Sequence, residues 1–218
     1  MIATPTMRAE RRWPVTLAVL VAIALQLGTP RTGRVGAWWV FPAIEFVLLV
    51  VLIVVDPGRV DDRRGRARWI TLALIGVMTV GAAGGVAYLL WEIITRGPDY
   101  NATTLLGRGA ALWVTNVIVF SLWYWEVDRG GPAERAAGIE VGASFAFPEN
   151  ATPELVSKGW FPKFPDYLYL SFTNSTAFSP TDTLPVRTWA KMLMMLQSAI
   201  QLVTAILVIA RAINVLPG

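Results

Sequence analysis

The chain has 218 residues, 55% of them hydrophobic and only 16% charged, with a mean hydropathy of +0.52; this excludes an ordinary soluble domain and fits a protein with several membrane spans. It holds no Cys and no His, which removes disulfides, thiolate metal sites, thiol nucleophiles and the commonest general base, so no enzyme activity, cofactor or metal is expected. The net charge of +4 is small and its basic residues are bunched in short loops, a mark of topology and not of nucleic-acid binding.

Arg8, Arg11 and Arg12 precede an apolar run from Trp13 to about Leu27. The run lacks the small-residue pattern of a signal-peptide cleavage site, so it is retained as span one. Span two is expected over about 37–55, span three over 69–94 and span four over 105–127, each long enough at about 1.5 Å per residue for a bilayer core of about 30 Å. A wetter segment rich in Gly, Pro and Ala follows over 128–164, and a last span runs from about Val186 to Leu216. Within the wetter segment, apolar residues alternate over 139–147, which predicts a short extended piece lying on the protein or membrane surface.

Trp13, Trp38, Trp39, Trp69, Trp91, Trp123, Trp125 and Trp189 stand near the expected span ends, where the amphipathic indole prefers the headgroup region. Gly76, Gly81, Gly84 and Gly85 in span three predict close helix contact. The first cluster and the second loop, with Arg59, Arg63, Arg64, Arg66 and Arg68, hold eight Arg. The positive-inside rule therefore puts the N-terminus in the cytoplasm of a multi-pass cell-membrane protein.

Alternating spans bring Gln26, Glu45, Glu92, Arg108, Arg211 and Asn214 to one half of the bilayer. Ionisable groups there are costly and pair or face water. Glu45, Glu92 and Arg108 form a candidate intramembrane charge cluster, with Arg108 or Arg211 the expected partner of Glu45. It reads either as an ion pair that fixes helix packing or as a participant in ion or proton movement.

Between the wetter segment and the last span lies Pro165 to Pro185, too polar and broken to cross a bilayer alone. Pro165 and Asp166 suit the first turn of a helix, and residues 167–178 are expected to form it. Ser179-Pro180-Thr181-Asp182 is turn chemistry, and Pro185 restarts a helix. Half-helix, turn and full helix is the layout of a re-entrant loop.

These residues resemble the potassium-channel pore module. The stretch from Asp166 to Phe172 is similar to that family's pore-helix opening, and Thr176-Ala-Phe-Ser-Pro-Thr-Asp182 falls without a gap on its Thr-Thr-Val-Gly-Tyr-Gly-Asp filter. The whole chain also resembles an uncharacterised bacterial family of five-span membrane proteins with a basic second loop and a C-terminal pore-like segment. The resemblance implies a pore helix, a filter and an inner helix in an oligomer that conducts inorganic ions. Ser179 and Thr181 stand in place of the filter glycines and Pro180 in place of its tyrosine. A carbonyl-ring filter needs dihedrals that Gly adopts freely and Thr only at a cost, which points away from potassium selectivity.

The expected filter-like loop is therefore hydroxyl-lined, from Thr173, Asn174, Thr176, Ser179, Pro180, Thr181 and Asp182. On the last span Gln197, Gln201, Thr204, Val208 and Arg211 share one helical face. That stripe reads either as pore lining or as hydrogen bonding between helices. The expected protein is all-α: a four-span bundle over 1–127, an interfacial segment over 128–164, and a pore-like unit over 165–218. Two functions stay open, a channel-like homo-oligomer of weak or non-potassium selectivity, and a non-conducting scaffold or accessory subunit that keeps the pore-module fold. A catalytic reading would rest on Glu126, Asp128, Asp166 and Asp182 gathering at one membrane face, which solvated or helix-capping carboxylates also explain.

Overall fold

The computed structural model describes residues 10–29, 39–57, 65–95, 102–137, 141–157, 160–176 and 182–215. The protein is all-α, built on long helices α1 (Trp13–Gly28), α2 (Val40–Val55), α3 (Arg66–Thr95), α4 (Ala102–Val127) and α8 (Thr188–Val215). Short elements fill the interval between α4 and α8: α5 (Pro132–Ala136), β1 (Phe145–Ala146), α6 (Pro148–Ala151), the 13-residue helix α7 (Phe164–Thr176) and β2 (Leu184–Pro185). Helices α3, α4 and α8 are long and apolar enough to cross a membrane, whereas α1 and α2 are apolar but shorter at 16 residues each. This is consistent with a membrane protein, and the helix bounds fall within a few residues of those expected from the sequence.

The ends of the helices follow from local chemistry. Pro14 occupies the first turn of α1, where a missing N–H costs nothing. Asp56 closes α2 by donating its N–H to the Leu52 carbonyl, and Pro57 prevents continuation. Beyond α4 the backbone turns left-handed at Arg129, Gly130 and Gly131, with φ of 50°, 79° and 102°. Gly131 is required there, because a Cβ would lie 2.9 Å from the Glu126 carbonyl oxygen.

Helix α4 is the central post, packed by α1, α3, α7 and α8. Its C-terminal half is buried almost continuously from Thr115 to Glu126. Val19, Leu49, Ile75, Met78 and Leu122 belong to a single apolar core. Outward-facing side chains on α2 and α8, including Val47, Val54, Met195, Ile206 and Ile213, are exposed and apolar, as lipid-facing helices require.

Glycine at the contacts sorts unevenly. Gly85 admits Leu112 of α4, and Gly109 of α4 admits Val208 of α8, each at 2.8 Å from where a Cβ would stand. Gly76 and Gly84, expected to serve close packing, have no such neighbour within 4 Å.

Two expectations are corrected by burial. Of the extended piece expected over 139–147, Val141 and Gly142 are exposed, but its end is not on a surface: β1 pairs antiparallel with β2, and Phe145 and Phe147 are buried. Phe145 meets Tyr124, Tyr167 and Trp189 at ring-centroid separations of 5.1–6.5 Å, so alternation here wedges aromatics into the bundle. Similarly, Trp13, Trp39, Trp69 and Trp91 are exposed but Trp125 is buried, and its indole serves a carboxylate described below. Trp38 and the second-loop residues Arg59, Arg63 and Arg64 lie outside the described residues.

Candidate functional site

Three polar assemblies are built on this frame. The first is the seam where α7 and α8 meet α4. Gln197 is fully buried; its Nε2 donates to Ser171 Oγ at 2.7 Å and Ser175 Oγ at 2.8 Å, and its Oε1 accepts from the Tyr124 hydroxyl at 2.5 Å and from Asn174 Nδ2 at 2.8 Å. Ser171 Oγ donates onward to the Val117 carbonyl at 2.7 Å. One turn along α8, Gln201 Nε2 donates to Asn116 Oδ1 at 3.0 Å and to the Trp113 carbonyl at 3.2 Å. Thr204, also buried, donates to Ile200 within its own helix at 2.7 Å.

The stripe predicted on the last span therefore exists, and it faces the interior of the helix bundle. Gln197, Gln201, Thr204 and Val208 are buried and Arg211 is half-buried. The polar groups of Gln197 and Gln201 engage other helices at hydrogen-bond distance.

The filter-like residues divide. Asn174 is buried and also donates to the Met194 carbonyl at 3.1 Å. Thr173 and Thr176 bond back to carbonyls of α7 itself, and Asp182 accepts from the Tyr169 hydroxyl at 3.0 Å. Ser179, Pro180 and Thr181 lie outside the described residues. The described part of helix α7 runs to Thr176, and the last two residues of the expected helix lie outside the described residues.

The second assembly lies at the end of the bundle formed by the start of α1, the end of α2, the start of α3 and the end of α4. Arg12 pairs with Asp56, both buried, and Arg68 reaches Glu126 at 3.5 Å. Glu10 Oε2 accepts from the Trp125 indole at 2.8 Å and its Oε1 from the Phe164 N–H at 2.6 Å. Burial pushes the Glu10 carboxyl up from its ordinary value, against the pull of those two donors. Asp128, fully buried, accepts from the Ser144 N–H and the Tyr167 hydroxyl, each at 2.7 Å. Arg135 donates to the carbonyls of Trp125 and Asp128 and lies over the Tyr167 ring at 5.1 Å. These contacts fasten the entry of α7 to the N-terminus and to the end of α4.

The four carboxylates considered for catalysis have separate structural partners. Glu126 and Asp128 are close and tied to Arg side chains. Asp166 caps α7 by accepting from the Lys163 N–H at 2.7 Å, and Asp182 holds Tyr169. Among the described residues, no group of three or more carboxylates is placed to hold a metal ion.

The third assembly is the intramembrane charge cluster, at the opposite end of α1–α4, about 21 Å along α1 from Arg12 by helix rise. Arg108 Nη1 donates to Glu92 at 2.6 Å, both side chains buried. Glu45, fully buried, takes Gln26 Nε2 on Oε2 at 2.8 Å. The expected pairing of Glu45 with Arg108 or Arg211 is corrected: Glu45 makes no ion pair among the described residues. Glu92 and Arg108 are at matching depth on consecutive antiparallel helices, so they meet each other first. Gln26, Glu92 and Arg108 line a cavity of about 50 Å³ between α1, α3 and α4.

Sequence reasoning singled out Glu45, Glu92, Arg108, Asn174, Gln197 and Gln201, left Glu10 and Tyr124 unremarked, and gave Tyr167 and Ser171 no role beyond their place in the pore-helix-like stretch. The buried aromatic hydroxyls carry a signal in hindsight, since a Tyr inside a membrane helix needs a partner. Glu10 is masked by the neighbouring arginines. Comparison with known protein families, characterised proteins and solved structures finds no match.

Proposed function

We propose that the chain is a multi-pass membrane protein with five spanning helices, α1–α4 and α8, into which α7 re-enters as a half-helix, and that it is a non-conducting scaffold or accessory subunit. The observation that carries this reading is the direction and satisfaction of the α8 stripe. A water path needs polar groups turned to water; Gln197 and Gln201 instead spend theirs on Tyr124, Ser171, Ser175, Asn174 and Asn116. The opposite side of α8, with Leu202, Ile206 and Ile213 exposed, suits lipid or a second copy of the chain. With the N-terminus cytoplasmic, the entry of α7 and the basic second loop share the cytoplasmic face.

An oligomeric channel is the second reading, favoured by the short helix α7 standing ahead of the long apolar α8. In that reading the stripe of Gln197, Gln201 and Thr204 would open to water and line the path.

Because the chain has no Cys, single-Cys variants report water access without background. Gln201→Cys and Thr204→Cys are expected to resist a membrane-impermeant thiol reagent in proteoliposomes while reacting after unfolding. Rapid labelling at both positions in the folded protein would favour a conduit.

A further inference from the structure

Glu45 stands apart from the other buried carboxylates. Its side chain is fully buried within α2, and its Oε1 has no hydrogen-bond partner among the described residues. That oxygen rests against α3, 3.4 Å from where a Cβ of Gly81 would stand. Gly81 lines the same cavity as Gln26, Glu92 and Arg108; Glu45 is not itself a lining residue but touches two that are, Gln26 and Gly81. The titratable and charged groups at the cavity wall are Tyr88 and Glu92 of α3 and Arg108 of α4, while α1 contributes the neutral Gln26. Arg211 of α8 belongs to the same end of the bundle but does not line the cavity.

An ionised carboxylate buried without a cation in contact is costly. One amide hydrogen bond does not offset that. A neutral carboxyl avoids the cost, and its O–H needs an acceptor near Gly81. Water in the cavity can supply one, since about 10–15 Å³ suffices for a molecule with polar partners and the cavity offers about 50 Å³.

We propose that Glu45 is a reversible proton-binding site of the bundle, its carboxyl neutral at rest and exchanging its proton with water in the cavity between α1, α3 and α4. The proton arrives from and returns to that water, and Gln26 holds the carboxyl in place in both forms.

The test uses dicyclohexylcarbodiimide, an apolar reagent that attacks protonated carboxyl groups in apolar surroundings, on the full-length protein in proteoliposomes, with adducts located by peptide mass spectrometry. The expected result is an adduct at Glu45 whose yield falls about tenfold per pH unit above its midpoint, as the protonated fraction does. Glu45→Gln, a mimic of the neutral form, is expected to keep the parent's thermal stability at neutral pH and to lose that adduct. A Glu45 peptide that stays unlabelled, or labelled equally at all pH values, overturns the proposal. So does a loss of stability in Glu45→Gln matching that in Glu45→Lys, which buries a charge where a neutral group is proposed.

Discussion

Gln197 meets four side chains from two helices through a single amide group. Replacing it by Leu keeps the volume, removes the acceptor of the Tyr124 hydroxyl and leaves the Asn174 amide only the Met194 carbonyl, a cost of about 1–3 kcal/mol for a buried group left unpaired. Gln201 holds one side chain and one carbonyl, so Gln201→Leu is expected to cost less, nearer the average of about 0.6 kcal/mol for an interhelical hydrogen bond in a membrane. Thermal unfolding in detergent should rank parent, Gln201→Leu and Gln197→Leu in falling order; equal midpoints would show that the seam contributes nothing to stability. At this scale the sequence was legible as far as periodicity reaches. The spacing of Gln197, Gln201 and Thr204 placed them on one face, but which way that face points depends on Ser171, Asn174 and Tyr124, contributed by other helices.

Helix limits were the most legible feature of the chain, because proline, glycine and charge mark them directly. Contacts between helices were less so, since a glycine signals room without saying what fills it. Gly109 drew no notice, yet it seats the stiff, β-branched Val208, whereas Gly84, read as a packing residue, faces open space. The two are expected to respond oppositely to alanine. Gly109→Ala should destabilise by about 1–3 kcal/mol through overpacking of the α4–α8 contact. Gly84→Ala should stabilise by about 0.4–1 kcal/mol by restricting the unfolded chain. Thermal midpoints of both variants check this, and a shift of the same sign in each would mean that α8 is not seated on Gly109. Helix α7 illustrates the same limit: Pro165 and Asp166 announce its start, but its anchoring to Glu10, more than 150 residues earlier in the chain, has no local sign.

For the molecule as a whole, polar groups form an ionic layer at one end of α1–α4, a charge cluster at the other, and a hydrogen-bonded seam that joins α7 and α8 to the central α4. The seam uses the groups that a conducting path would have to expose. On the reading proposed here, the resemblance of the sequence to a potassium-channel pore carries no conduction with it. The most direct measurement is ion flux through proteoliposomes containing the purified protein, under imposed gradients of potassium, sodium and chloride in turn. Flux no greater than in protein-free vesicles is predicted for every ion. Flux that depends on the protein and changes its selectivity in Gln197→Leu or Gln201→Leu would contradict a sealed seam and establish the stripe on α8 as the lining of a path.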